Sequence, residues 1–523
     1  MPNLSTVLKE LLTNIVSFSR HASGITLRSY QEGIACTVVD SIINRKGLTI
    51  VVMLPRQSGK NELQAQLQTY LLTLFSQLHG EMVMISPTWK PQSLNAMRRL
   101  ERTLKRNLIT RDRWKRRDGY VYNVDTANCY FLSGGPDANI VGATASILLD
   151  IDEAQDILPA KFDKDISPMG ASTNVTTLFC GTAWTSQTLL ARELRTAAEA
   201  ESLDGEQRVF RITADEVSAE VPAYGAYVQK QVAKLGRNHP LIKTQYFCEE
   251  IDAEAGMFPP ARRILMQGSH PYQIEPFSRL SPVSRPFVVA FLIDVAGIDE
   301  SKRAAGENEL ENPARDSTTL TIVEIDFSTV QDPLIGAPTY RVVHRHAWQG
   351  DRHTLLYQQF RSYAEAWQPA YWIIDSTGVG AGLADFVSNI RIGIVIPFTF
   401  TSASKSKLGW DFLGIIETGR FKNCQVGADG IAGELHPSPP YQDEWLEQLT
   451  ACQMTVIPGP GQLIRWGVPD GTRSARTKEP LHDDWILSAA LVAVLDEQEL
   501  TTHEPALIVH AQDPLDAIDK EGF

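Results

Sequence analysis

Residues 50–62, IVVMLPRQSGKNE, constrain this chain more than any other stretch. The apolar, β-branched run Ile50-Val51-Val52-Met53-Leu54 has the composition of a buried strand, and Pro55-Arg56-Gln57-Ser58-Gly59-Lys60 that of a polar loop. A helical pattern starts at Asn61. Strand, Gly-Lys loop and helix in that order are the layout of a phosphate-binding loop; taken alone, the stretch also fits an ordinary strand-to-helix turn. Backbone N–H groups from Gln57, Ser58 and Gly59 and the helix N-terminus face an anion, and Lys60 reaches its terminal phosphates. Two positions depart from G-x-x-x-x-G-K-[ST]: Leu54 stands at the first glycine, and Asn61 at the hydroxyl that ligates Mg²⁺. An Asn carbonyl is also a hard, neutral oxygen donor and can fill that place. Alternatively Asn61 only starts the helix, a position that suits Asn.

A second apolar run, Ile147-Leu148-Leu149-Asp150-Ile151, delivers two adjacent carboxylates, Asp152 and Glu153. A nucleotide hydrolase needs one carboxylate at a strand end for the Mg²⁺ shell and a neighbour to orient and deprotonate the attacking water. Asp152 suits the first role and Glu153 the second. Thr176-Thr177-Leu178-Phe179-Cys180 is a third buried strand, followed by Gly181 and Thr182. A polar residue such as Thr182 beside the carboxylate strand can sense the γ-phosphate. Strands alternating with helices predict a doubly wound parallel sheet with its ligand at the strand C-termini. Upstream, residues 1–48 read as helical. Gln31, next to Tyr30, can read an adenine edge or can simply open a helix. The segment 98–117 is rich in Arg and Lys, which fits either a solvated helix face or contact with phosphates.

At 523 residues the chain exceeds one ordinary core, so two or three domains are expected. Residues 189–255 read as a helical, charged lid. Residues 256–286, rich in Pro, Gly and Ser, read as a linker. Beyond it, Phe287 to Ile293 is an apolar strand ending on Asp294, and Tyr371-Trp372-Ile373-Ile374 ends on Asp375. Asp483 and Asp484 open a late apolar helix, and the tail 501–523 reads as loose. Carboxylates from adjacent strand ends and a helix can converge on a pair of divalent ions that clamp the two oxygens of a phosphodiester exchange. Hard oxygen ligands favour Mg²⁺ or Mn²⁺. Six scattered cysteines without a C-x-x-C pair argue for reduced thiols and against structural zinc. No run of about 18 apolar residues suggests a membrane span. With a net charge of −13, any nucleic-acid contact must be local or shared with partners.

The motif order resembles that of the large terminase subunit of tailed bacteriophages, a packaging motor and nuclease. PRQSGKNE is similar to that family's phosphate loop, LLDIDEAQ to its hydrolytic carboxylate strand and CGTAW to its coupling motif. IDVAG, IIDSTGVGAGLADF and LHDDWILSAAL are similar to its three acidic nuclease motifs. The resemblance spans roughly residues 25–495. It implies an α/β chain with an N-terminal P-loop (RecA-like) ATPase domain over 1–255 and a C-terminal RNase H-like nuclease domain over 287–500. It further implies ATP with Mg²⁺ in front, bound by Lys60, Asp152 and the loop, with Gln31 at adenine, Glu153 as base, Arg56 on transferred charge and Thr182 coupling hydrolysis to movement. Behind, it implies two Mg²⁺ or Mn²⁺ on Asp294, Asp375 and Asp484, with Asp483 and Asp316 as assistants. The implied partners are double-stranded DNA, a small terminase subunit, a portal protein and further copies in a homo-oligomer ring. The implied location is the host cytoplasm, transiently docked on the procapsid portal and outside the mature virion. Val141-Gly142 stands where many relatives carry Arg-Gly, so the inter-subunit arginine finger is unassigned, and 98–117 is where to seek it. The rival reading is an ATP-dependent, helicase-like DNA translocase whose C-terminal half binds nucleic acid without cutting it.

Overall fold

The structure is a computed structural model and describes residues 4–140, 142–251, 256–276, 287–296, 316–333, 335–378, 380–425, 439–457 and 463–500. The polar excursion at 306–313, part of the linker and the tail 501–523 lie outside the described residues. The chain forms two compact units. The first comprises Met1–Leu265, Thr401–Gly419 and Glu444–Asp483; the second comprises Met266–Phe400, Arg420–Asp443 and Asp484–Phe523.

In the first unit the strands are β1 (Thr49–Met53), β2 (Glu81–Ser86), β3 (Trp114–Arg117), β4 (Val121–Val124), β5 (Ala127–Ser133), β6 (Leu148–Ile151), β7 (Thr176–Gly181) and β8 (Val209–Arg211). They make one sheet in the order β3-β4-β5-β2-β6-β7-β1-β8. From β5 to β8 every pairing is parallel, while β3, β4 and β5 form an antiparallel meander at one edge. Parallel strands need helices on both faces. The phosphate-loop strand shows this: Ile50, Val52 and Leu54 pack into one apolar cluster, and Val51 and Met53 into another. The covering helices include α1 (Ser29–Ile43), α2 (Lys60–Leu74), α3 (Leu94–Arg106) and α4 (Leu189–Asp204). In the expected lid, β8 interrupts the helical pattern and pairs with β1. Three helices follow it: α5 (Ala214–Glu220), α6 (Pro222–Leu235) and α7 (Pro240–Phe247). The expected linker carries a helix, Pro260–Leu265, whose Arg262 pairs with Glu417 at 2.7 Å.

In the second unit, β9 (Val288–Asp294), β10 (Ser317–Asp326), β11 (Thr339–Gln349), β12 (Tyr371–Asp375), β13 (Ile394–Phe398) and β14 (Phe421–Lys422) form a sheet in the order β13-β12-β9-β10-β11-β14. β10 runs antiparallel to both β9 and β11, while β12 and β13 run parallel to β9. This order, with its single reversed strand, is the RNase H-like arrangement. Helices α8 (His353–Trp367) and α9 (Gly380–Ser388) cover one face, where Phe360, Trp367 and Leu383 meet Phe291 and Trp372. Helix α10 (Asp484–Ala490) lies on β9 and β10, and the Ser488 hydroxyl donates to the Leu292 carbonyl at 3.0 Å. Among the described residues no helix is long and apolar enough to cross a membrane.

Candidate functional site

The phosphate loop is shaped by its backbone and braced from behind. Gln57 and Gly59 both have positive φ, 67° and 97°, and Gly59 caps α2. Lys60 is therefore the first helical residue and Asn61 the second, so the helix start does not depend on Asn61 as a cap. The Ser58 carbonyl accepts from the Tyr30 hydroxyl at 2.6 Å and the Arg28 guanidinium at 2.8 Å. Gln31 donates from Nε2 to the Gly59 carbonyl at 3.1 Å, and its Oε1 accepts from the Arg28 N–H at 3.0 Å. Its amide thus braces the loop. Arg56 is exposed, and its backbone is pinned by the Gln245 carbonyl at 2.8 Å and the Tyr224 hydroxyl at 3.0 Å. The Ser58 hydroxyl is buried without a hydrogen-bond partner among the described residues, an orphan that an anion's oxygen would satisfy.

Lys60 faces the carboxylate strand. Its ammonium lies 3.0 Å from Asp152 Oδ1 and also pairs with Glu153 Oε1. Burial alone would lower the Lys60 pKa; the charges of Asp152 and Glu153 overcome burial and raise it. Burial raises Asp152 above the ordinary carboxylate value, against the pull of Lys60. Glu153 is held below its ordinary value: burial pushes it up, and the charge and hydrogen bond of Lys60, with help from Gln155 and Arg56, outweigh that. Burial also pushes Asp150 and Asp156 up to about 7, with repulsion from Asp152 acting on the first and from Glu153 on the second. A strand end carrying this much carboxylate and so little cation suits a bound Mg²⁺.

Three contributors escaped the sequence. Gln155 donates to Glu153 Oε2 at 2.8 Å and accepts the Thr182 N–H at 3.2 Å, linking β6 to the end of β7. Its packing is close, because a Cβ built on Gly181 would lie 2.1 Å from Gln155 Oε1. Gln64 and Gln68 hold the two oxygens of Asp150 at 3.1 and 3.2 Å. Lys60, Gln64 and Gln68 recur every four residues on α2 and so share a face, while Asp150 on β6 and Asp152 just past its end are two residues apart and continue one face. Three glutamines buried in α2 were the one sequence signal for this.

In the second unit, Asp294 and Asp375 end neighbouring parallel strands. Ile293 pairs with Ile374, and each Asp is the next residue. Strands of one sheet lie about 4.8 Å apart, which brings the two carboxylates onto one edge. Both are buried, and burial raises the Asp375 pKa although the Thr377 N–H bonds its Oδ1 at 2.8 Å. Asp484 opens α10. The Ser317 N–H donates to its Oδ2 at 2.9 Å, and the Thr319 hydroxyl to its carbonyl at 3.1 Å, where Thr319 is the cross-strand partner of Asp294. All three are thus tied to the β12-β9-β10 edge. Asp483 belongs to the first unit and lies 3.3 Å from Lys405 Nζ; Asp316 is exposed just before β10. Among the described residues no three His, Cys, Asp or Glu side chains are gathered closely enough to hold a metal ion as they stand.

No family model and no curated protein matches the chain. Structures similar to it are those of phage large terminases. The large terminase of bacteriophage HK97 has 10% identity over 92% of this chain and 99% of its own, with a TM-score of 0.39. The large terminase of a thermophilic bacteriophage, in complex with ADP, has 11% identity over 89% of this chain and 98% of its own, with a TM-score of 0.41. The large terminase nuclease of thermophilic phage G20c with bound cobalt has 15% identity over 46% of this chain and 98% of its own, with a TM-score of 0.30.

Proposed function

We propose that the chain is the large terminase subunit of a tailed bacteriophage, an ATP-driven motor that moves double-stranded DNA into a procapsid and cuts it. The observation that carries this is the pairing, on one chain, of two sites. One is a braced phosphate loop with Lys60 against Asp152 and Glu153. The other is an RNase H-like sheet with Asp294 and Asp375 on adjacent strand ends. At the first site Lys60 and the loop N–H groups bind the terminal phosphates, and Glu153 orients water and takes its proton. Asp152 and Asn61 would hold Mg²⁺, Arg56 would face transferred charge, and Gln31 would reach adenine only by giving up its bonds to Gly59 and Arg28. Thr182 would couple turnover to motion through Gln155.

At the second site Asp294, Asp375 and Asp484 would hold two Mg²⁺ or Mn²⁺, with Asp483 and Asp316 alongside. Such ions stabilise the attacking and leaving oxygens of a phosphodiester. In a packaging motor the chain would work in the host cytoplasm as a homo-oligomer ring, with a small terminase subunit, docked on the portal. The rival is a translocase whose second half binds nucleic acid without cutting it.

Separate inactivation of the two sites in the full chain tests both readings. Glu153→Gln should still bind ATP and lose about 10²-fold or more in turnover, while plasmid nicking in Mn²⁺ persists. Normal turnover in Glu153→Gln would refute the motor assignment. An unmutated chain that hydrolyses ATP and never nicks would establish the rival.

A further inference from the structure

Between residues 98 and 117 the chain carries ten Arg or Lys against two carboxylates, Glu101 and Asp112, in a protein of net charge −13. The structure sorts these cations into two groups. Arg99 pairs with Glu62, Lys105 with Glu101, Arg111 with Asp112 and Arg113 with Asp125. Glu101 is further engaged by the Tyr122 hydroxyl at 3.0 Å and by Arg116 at 4.0 Å. The other group is Arg98, Arg102, Arg106, Lys115 and Arg117, which are all exposed and have no carboxylate partner among the described residues.

The five lie on two surfaces: Trp114 and Arg116 turn toward α3, so Lys115 and Arg117, which alternate with them, turn to the other face of β3. Arg98, Arg102 and Arg106 recur every four residues on α3, a row about 12 Å long with steps of about 6 Å. Lys115 and Arg117 lie on β3, the edge strand of the sheet. The two elements touch, since Lys105 lies over the Trp114 ring and Arg116 reaches Glu101. Charge on an edge strand also blocks sheet-to-sheet pairing, which accounts for β3. It does not account for the row on α3.

We propose that the α3 face grips the sugar-phosphate backbone of duplex DNA without reading its sequence. It deepens the motor reading by naming a surface for its polymer, although the charge argument stands without that reading. A duplex presents about one negative charge per 1.7 Å of axis, so a row of unpaired guanidinium groups meets several phosphates at once. Arg supplies the planar fork that binds phosphate through two hydrogen bonds. A protein partner would need an apolar centre. Here the large exposed apolar side chains are Trp89, on the turn that leads into α3, Leu108 and Tyr120, none of them within the row on α3. The face is also joined to the phosphate loop. Arg99 of α3 lies 3.0 Å from Glu62, in the first turn of the helix that Lys60 opens. Displacement of that turn would pull directly on α3.

The test uses the full chain and a labelled duplex of about 30 base pairs, with affinity followed by fluorescence anisotropy between about 50 and 200 mM salt. The triple variant Arg98→Ala/Arg102→Ala/Arg106→Ala should bind every duplex sequence more weakly. The slope of log affinity against log salt should shrink by about 0.9 for each phosphate that the face no longer neutralises. The pair Lys115→Ala/Arg117→Ala, on the other face of β3, should lower affinity and slope far less, and both variants should keep the parental thermal midpoint. An unchanged slope and affinity in the triple variant would overturn the proposal, as would an equal loss in the pair. So would loss of self-association, read by light scattering, with duplex affinity retained, because the face would then bind another copy. ATP hydrolysis by the unmutated chain, measured in parallel, fails only if the motor reading fails.

Discussion

The side-chain amide of Gln155 donates to Glu153 Oε2 at 2.8 Å. The same amide accepts the Thr182 N–H, so one residue both aims the proposed base and ties it to the next strand end. Gln155→Glu keeps the acceptor for Thr182 but replaces the donor with a like charge. Turnover should fall about tenfold, the effect of one lost hydrogen bond to a charged group, with little change in KM for ATP. Gln155→Leu removes a bond that helps hold the Glu153 pKa down, so the acidic limb of its pH–rate profile should move to higher pH. A profile that stays in place would show that Gln155 only packs.

Asn61 separates two roles now that Gly59 is seen to cap α2. If its carbonyl ligates Mg²⁺, Asn61→Thr should preserve Mg²⁺-dependent hydrolysis, and Asn61→Leu should raise the Mg²⁺ needed for half-maximal rate. A Mg²⁺ titration that is the same for the Leu variant and the parent excludes the ligand role.

Asp375→Asn keeps the shape of the side chain and removes its charge. Plasmid cleavage in Mn²⁺ should be abolished, with ATP hydrolysis at the parental rate. Asp483→Asn should cleave measurably, since Asp483 has Lys405 as a partner. Because burial raises the Asp375 pKa, protons compete with metal there, and the metal requirement for cleavage should climb as pH falls. Equal loss in both variants would make Asp483 as necessary as Asp375.

His239 offers a stability test away from either site. Its ring is buried; Nδ1 accepts from the Leu241 N–H at 3.1 Å, and Nε2 lies 2.9 Å from the Trp410 carbonyl, fixing a neutral tautomer. Burial pushes its pKa down to about 4, below the ordinary 6.5. As pH falls, the unfolded chain takes up the proton first, so stability present above about 6.5 is lost toward 4. Denaturant unfolding should show about 2 kcal/mol less stability at pH 5 than at pH 7 from this group. His239→Asn should lose that part of the pH dependence.

The strands and most site residues were legible because apolar β-branched runs and strand-end carboxylates are local signals. β1, β6, β7, β9 and β12 begin and end within a few residues of where the apolar runs place them. β8 was not legible: three residues are too few to show a period. The joining of Thr401–Gly419 and Glu444–Asp483 to the first unit leaves no local mark, because it rests on contacts distant in sequence. Gln155 and Gln64 were hidden for a related reason: a glutamine's role depends on which partners the fold brings to it. The basic stretch was visible, but only the structure separates its paired cations from its unpaired ones.

The Lys60 ion pair makes nucleotide binding an exchange. The phosphate must displace two internal anions, Asp152 and Glu153, which compete for the same ammonium. The apparent affinity is reduced by whatever fraction of the ensemble keeps Lys60 on the carboxylates. The same competition favours release, because the pair recaptures Lys60 once the phosphates leave. A loop with its own competitor returns to its starting state after each turnover, as a motor that must bind and discard nucleotide repeatedly requires.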